Sequence, residues 1–447
     1  MADYHVIIVG AGPAGIFAAL TLKGAGFGGI LMVEQGEDIG RRRRETGRDI
    51  LCGWGGAGAF SDGKLTLAPE IGGFLGEFIP GEELKRLLIE ADSVYLQNGA
   101  PTKTYGSSSD KTEALTCMAK QAGMTSIPTE IRHVGTENWA KILRRMRKDL
   151  GEEITIQTKT QVEHLWVENG TVRGVKIKAG RRISADWVIV AAGRSGADWV
   201  RDEARQIGVA SIPNPVDIGV RVETPAATLK GLTDVAYESK LIYYSKTFDD
   251  KVRTFCMNPY GEVVIEESNG IITVNGHSYA SKRTENTNFA ILVSSTFTKP
   301  FDDPIAYGGV IAKLANLLGK GVIIQRLGDL LEGRRSTPER ISRCITRPTL
   351  PSATPGDLSF VLPYRYLKDI MEMLEALDSM APGIYTRHTL LYGVEVKFYS
   401  NRIRLSSALE SEVKNLFFIG DGAGITRGLL QASASGIMAA REVLRRA

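Results

Sequence analysis

Six residues near the start of the chain, Gly10-Ala11-Gly12-Pro13-Ala14-Gly15, carry the spacing G-x-G-x-x-G, and an acid, Glu34, stands nineteen positions beyond the last of them. These residue types at this spacing bind a dinucleotide. The first glycine permits a tight turn, the second lets backbone approach a pyrophosphate, and the third lets the following helix sit close to its strand. The acid accepts hydrogen bonds from ribose hydroxyls, and its charge repels a 2′-phosphate, which disfavours NADP and leaves FAD and NAD. Gln35 follows the acid and is grouped with it. The basic run Arg41-Arg42-Arg43-Arg44, with Arg48 nearby, begins seven residues after Glu34. It is either a solvated loop or a source of one or two phosphate contacts, with Arg42 as the representative.

A second glycine turn lies at the opposite end, Gly420-Asp421-Gly422-Ala423-Gly424, between an apolar run and a helix that opens Gly428-Leu429-Leu430-Gln431-Ala432-Ser433. One nucleotide site does not need a glycine-rich turn at each end of the chain. A long cofactor does, and FAD has that length. Its ADP end would lie on Gly10–Gly15 and its flavin near 420–436. Asp421 would accept hydrogen bonds from ribityl hydroxyls. The final helix would aim its positive end at the N1–C2=O edge, where charge accumulates on reduction. The plainer alternative is a turn in which Asp421 caps the helix. Small residues around Gln431 and Ala432 permit close packing on a flat ligand.

Four further side chains in the glycine-rich segments are candidates for chemistry: Cys52, Asp62, Lys64 and Arg427. Lys64 and Arg427 suit a substrate carboxylate or reduced flavin. Cys52 would place a thiol near the ring, although a buried inert thiol is the commoner occurrence. For each of the four a structural role outweighs a catalytic one. The five histidines share no spacing, and His277 and His388 fall in substrate-side regions without an assigned role.

Several elements must position these residues. Residues 5–9 are continuously apolar and read as a buried parallel strand, 16–23 as the helix after it, and 30–33 as a second strand ending at Glu34. Helices are expected over 81–99 and 137–150. The runs 154–156, 160–166 and 172–177, with Asn169-Gly170 as a hairpin turn, predict an antiparallel meander. It leads into a buried strand at 187–190 that ends in Ala191-Ala192-Gly193. Beyond Pro213 and Pro215, strand-like runs at 261–265 and 291–293 and helices over 305–318 and 368–377 predict another sheet with helices. The fold class expected is α/β: a Rossmann-like FAD-binding domain (a parallel sheet with an antiparallel meander) interrupted by a mixed α+β substrate-side domain. The FAD-binding domain takes 1–212, with an insertion at about 51–150. The substrate-side domain takes 213–384, and 385–447 returns to complete the first.

Composition bounds the rest. A chain of 447 residues, 43% hydrophobic and 24% charged, is that of a globular protein. The net charge of +4 and the lack of an aromatic-basic patch give no reason to expect nucleic acid. The four cysteines, Cys52, Cys117, Cys256 and Cys344, show neither zinc nor iron–sulfur spacing and fit reduced thiols in a cytoplasm. No signal peptide and no membrane span are apparent.

The three glycine turns at Gly10–Gly15, Ala191–Gly193 and Gly420–Gly424 resemble those of the glutathione-reductase-type FAD superfamily. More narrowly, the chain resembles the uncharacterised FAD-dependent dehydrogenase family. The segments that carry this are 55–65 (Gly-Gly-Ala-Gly-Ala-Phe-Ser-Asp-Gly-Lys-Leu), 286–290 (Asn-Thr-Asn-Phe-Ala) and 420–428 (Gly-Asp-Gly-Ala-Gly-Ile-Thr-Arg-Gly). The resemblance implies that Val162 gives backbone contacts to adenine and that Ala192 and Gly193 lie against the cofactor. Relatives carry two nearby cysteines where this chain reads Cys256-Met257-Asn258, so a dithiol role is not expected here. No second G-x-G-x-x-G follows a later strand, so NADH or NADPH would dock transiently as electron donor rather than occupy a domain of its own. The function expected is an FAD-dependent oxidoreductase passing hydride through flavin N5 to or from a small-molecule substrate, with an electron-carrier partner as a further option. The alternatives are a flavin monooxygenase, a flavoprotein that modifies RNA or carries methyl groups, and a non-catalytic dinucleotide sensor.

Overall fold

The computed structural model describes residues 2–42, 51–61, 63–107, 109–135, 138–178, 180–268, 270–279, 282–297, 299–301, 303–398 and 401–447. Arg43, Arg44, Arg48 and Asp62 lie outside them. The chain divides into two compact units, one formed by 1–103, 132–214 and 399–447, the other by 104–131 and 215–398. The first division falls at 214/215, close to the 212/213 read from the two prolines. The second falls at 398/399 rather than 384/385, because strand Leu390–Lys397 pairs with Val216–Pro225 in the sheet of the second unit. The segment 104–131 also leaves the first unit and gives Met124–Ile127 to that sheet.

The first unit is built on strands β1 (Tyr4–Val9), β2 (Ile30–Val33), β3 (Ile154–Gln157), β4 (Val162–Glu168), β5 (Thr171–Ile177), β6 (Arg182–Val190) and β7 (Leu416–Phe418). Their order is β3-β2-β1-β6-β5-β4, with β7 added on β6. Helices α1 (Pro13–Gly24), α2 (Gly81–Gln97), α3 (Trp139–Leu150) and α4 (Leu429–Arg446) belong to the same unit. Every residue of β2 and the last four of β1 are buried, the pattern of parallel strands covered on both faces. Pro13 opens α1, where its missing N–H removes a donor that has no helical partner.

The run 154–156 does not join the meander. β3 pairs in parallel with β2 at the sheet edge, and the antiparallel meander is β4-β5-β6. Asn169 and Gly170 both take left-handed φ (50° and 70°), as a two-residue hairpin between β4 and β5 requires. β6 has two roles along its length. Its first residues pair antiparallel with β5, and Val188–Val190 pair in parallel with β7.

The second unit holds an eight-stranded sheet. From one edge its strands are Thr354–Pro355, Ile323–Arg326, Leu390–Lys397, Val216–Pro225, Asn286–Ser295, Lys251–Asn258, Lys240–Tyr244 and Met124–Ile127. All neighbours are antiparallel except the first pair. Glu262–Ser268 and Ile271–His277 form a separate hairpin. Helices Pro304–Gly319 and Tyr364–Asp378 pack on the sheet, as the helical periodicity predicts.

Candidate functional site

The three glycine turns meet in the first unit. β1, β6 and β7 are parallel neighbours, so their carboxyl ends lie side by side, where open α/β sheets bind ligands. Contact between the turns is close. A Cβ on Gly10 would stand 2.3 Å from the Ala191 carbonyl oxygen, and one on Gly422 would stand 2.7 Å from the Gly193 oxygen. α4 lies along α1 because Gly436 lacks a side chain; a Cβ there would be 2.1 Å from the Ala14 oxygen. The first and last glycine loops thus share one crevice.

Gly12 differs from its neighbours. Gly10 and Gly15 are demanded by the protein itself, since a Cβ on Gly15 would fall 2.0 Å from the Gly10 oxygen. At Gly12 φ is −80°, open to any residue, and among the described residues the only atom an added Cβ would approach is Gly56 Cα at 3.9 Å, an ordinary contact. Packing among the described residues does not demand this glycine; glycine is a favoured N-cap, and it leaves the backbone open to a ligand. Among the described residues Gly193 likewise has nothing within 4 Å of its Cβ position, though its φ of 61° by itself favours glycine. Gly12 and Gly428, the N-caps of α1 and α4, offer no side-chain cap, so the N–H groups of both first turns face the crevice without a capping oxygen.

Glu34 has a larger structural role than its motif implies. It is 5% exposed. Its Oε1 accepts from the N–H groups of Gly36 (2.8 Å) and Gly53 (2.9 Å), and its Oε2 accepts from Ala11 (2.9 Å). A carboxylate has about four acceptor sites, so about one remains for a ribose hydroxyl. Glu34 therefore ties the fingerprint to the glycine-rich loop at 53–60, which is also pinned by Gly55 N–H donating to the Ala11 oxygen at 2.7 Å. Arg42 supports that loop: its Nη1 donates to the Trp54 oxygen at 2.6 Å, and its guanidinium lies 4.8 Å over Phe60. Gln35 donates from Nε2 to Cys52 Sγ at 3.3 Å, and Cys52 is buried.

At the other end, Asp421 Oδ1 accepts from Thr426 Oγ1 at 2.6 Å, and Oδ2 lies 3.8 Å from Arg194 Nε. Burial raises its pKa above the ordinary aspartate value, against the pull of Arg194, Thr426 and Arg427. Its side chain is still 25% exposed, so it can reach a ligand in the crevice. Thr426 and Arg194 were not legible as its partners from the sequence, although both flank glycine turns. Arg427 stacks on Phe74, 4.6 Å from the ring centre. Gln431 is a clamp: Nε2 donates to the Pro69 and Ile71 oxygens (both 3.0 Å) and Oε1 accepts from Leu75 N–H (3.4 Å), which fixes 69–75 against α4. Ala432 is buried in α4, Lys64 is half-buried at the start of a short strand, and Val162 is buried at the start of β4.

Residues 215–398 match the family model described as "FAD-dependent protein, C-terminal domain-like", and this span is the longer segment of the second unit. Fingerprint and crevice are those of a dinucleotide-binding fold, and the matched segment 215–398 is similar to the C-terminal domain of FAD-dependent proteins. The chain is 28% identical over 480 residues to an uncharacterised protein of Clostridium beijerinckii, covering 98% of this chain and 80% of that one. Among solved structures it is similar to glycine oxidase from Bacillus cereus (15% identity, 99% of this chain and 96% of that one, TM-score 0.38). It is also similar to L-amino acid deaminase from Proteus myxofaciens in complex with anthranilate (14% identity, 100% and 91%, TM-score 0.41). No helix among the described residues is long and apolar enough to cross a membrane.

Proposed function

We propose that this protein exchanges hydride between FAD and a small-molecule substrate. The observation that carries the reading is Gly12, open to a side chain yet without one, at the N-terminus of an uncapped helix. The residues present fit the cofactor. α1 and Gly12 would receive the pyrophosphate, the remaining acceptor site of Glu34 a ribose hydroxyl, and the carboxylate of Asp421 the ribityl chain. Bound there, FAD supplies hydride or one-electron chemistry. The chain's own part is electrostatic and positional. The uncapped end of α4 favours negative charge in the crevice, and Arg194 and Arg427 add fixed positive charge beside Asp421. Gln431 and the 53–60 loop hold the crevice walls. NADH or NADPH would act as a transient donor. An electron-carrier protein is the second form of the same reading, and a monooxygenase the competing one.

Anaerobic titration of the yellow holoprotein with a panel of amino acids, hydroxy acids, NADH and NADPH tests this. Bleaching by one of them, followed by stoichiometric reoxidation by an organic acceptor, is the expected result. Bleaching by a nicotinamide alone, with oxygen consumption and a hydroxylated product in air, would instead mark a monooxygenase.

A further inference from the structure

The segment 326–347 of the second unit carries six arginines against three acids and no aromatic residue. One of the acids is internal. Asp329 is fully buried and receives both guanidinium nitrogens of Arg326 (2.8 Å each), Ser336 Oγ (2.7 Å) and Arg334 Nε (3.1 Å), which hold its pKa far below the usual carboxylate range. It pairs with Arg326, Arg334 and Arg340 and shapes the loop; the other two acids, Glu332 and Glu339, are exposed, and Glu332 pairs with Arg334, which leaves the exposed arginines of the segment in excess. Arg340 Nη1, also 3.8 Å from Asp329 Oδ1, donates to the Arg335 oxygen (2.8 Å), while Arg343 Nε and Arg347 Nη1 are steadied by the neutral backbone oxygens of Glu339 (3.2 Å) and Ser342 (2.9 Å). A carbonyl orients a guanidinium without cancelling its charge, so the face is both positive and pre-set.

Arg387 joins the same face. Cys344 Sγ donates to the His388 oxygen at 3.1 Å and Ile345 N–H to His388 Nδ1 at 3.4 Å, which brings 387–388 beside 344–345. His388 reports the local field: burial and then Arg387 and Arg326 depress its pKa below the ordinary histidine value. Arg335, Arg343, Arg347 and Arg387 are exposed, and among them stands Ile345, 70% exposed. An apolar residue ringed by arginines is the composition of a protein interface. Binding of single-stranded nucleic acid calls for aromatic rings on which bases stack, and the segment has none.

We propose that this face docks an acidic protein surface, with Ile345 against an apolar spot of the partner and the exposed guanidiniums on its carboxylates. The proposal does not depend on the flavin reading. It is tested on the full-length holoprotein with dye-labelled poly-L-glutamate, a glutamate–leucine copolymer and a short DNA duplex, by fluorescence anisotropy at several salt concentrations. Poly-L-glutamate should bind, more weakly as salt rises. The variant R335A/R343A/R347A should weaken it about tenfold, whereas R144A/R182A/R205A, with the same charge change on the first unit, should leave it within about twofold. The copolymer should bind more tightly than poly-L-glutamate, and Ile345→Ser should remove that advantage. Equal losses in the two triple variants, or tighter binding of the duplex than of either polymer through the same arginines, would overturn the assignment. An unchanged melting temperature shows that the variants are folded.

Discussion

Gly12 and Glu34 belong to one motif and have separable physics. Gly12→Ala should cost the apoprotein no more than about 1 kcal/mol, the order of the Gly-over-Ala preference at an uncrowded N-cap. It should weaken FAD at least about tenfold, near 1.4 kcal/mol, by standing off the pyrophosphate. Isothermal titration beside apoprotein melting decides; a variant that loses stability but keeps its affinity assigns Gly12 to the fold. Glu34→Gln gives the opposite pattern. An amide nitrogen replaces an oxygen that now faces backbone N–H donors, so the apoprotein itself should lose on the order of 1–3 kcal/mol before any ligand is added. Asp421→Ala should lower flavin occupancy, read from the absorbance of purified protein. The motif was legible because residues 4–34 are contiguous and obey local rules. The triple duty of Glu34 was not, because Gly53 reaches it only through the fold of a loop. Gln431, grouped with cofactor residues by its sequence position, also holds 69–75, and nothing local to the helix encodes that partner.

At the scale of elements, apolar runs located strands better than they chose partners. β3 alternates like its meander neighbours, yet its partner is β2, because parallel pairing is decided by the crossover before it rather than by its own residues. Helix Tyr364–Asp378 matched its periodicity but hides an acid that periodicity cannot flag. Asp369 is fully buried, and neither oxygen has a hydrogen-bond partner among the described residues; Ser245 and Asp250 lie near enough to bias its titration. Burial is the largest cause raising its pKa from 3.8 to about 6, with the Asp250 carboxylate adding to it against Ser245 and Arg365. Because the folded pKa is the higher one, the protonated form stabilises the native state. That contribution is complete below the unfolded value and is lost as pH rises through about 6. Urea unfolding between pH 4 and 7 should therefore show wild type losing on the order of 2 kcal/mol relative to Asp369→Asn. Parallel curves for the two proteins would mean that Asp369 does not titrate in this range.

At the scale of the molecule, the two units have separate hydrophobic cores. The crevice lies in the first, so FAD should raise its unfolding transition by about 2.7 kcal/mol at a hundredfold excess over Kd and leave that of the second unit in place. Differential scanning calorimetry of apo and holo protein reads both; a single transition that moves as a whole would join the units into one cooperative body. The first unit is assembled from three stretches of chain, and α4, which walls the crevice beside α1, comes from the last. A ribosome making this protein therefore releases the glycine fingerprint about four hundred residues before the opposite wall. Until that wall is made, the nascent chain has no complete berth for its coenzyme. Any product cut short before residue 420 would be colourless, and cellular proteases would meet it without the protection of a bound cofactor.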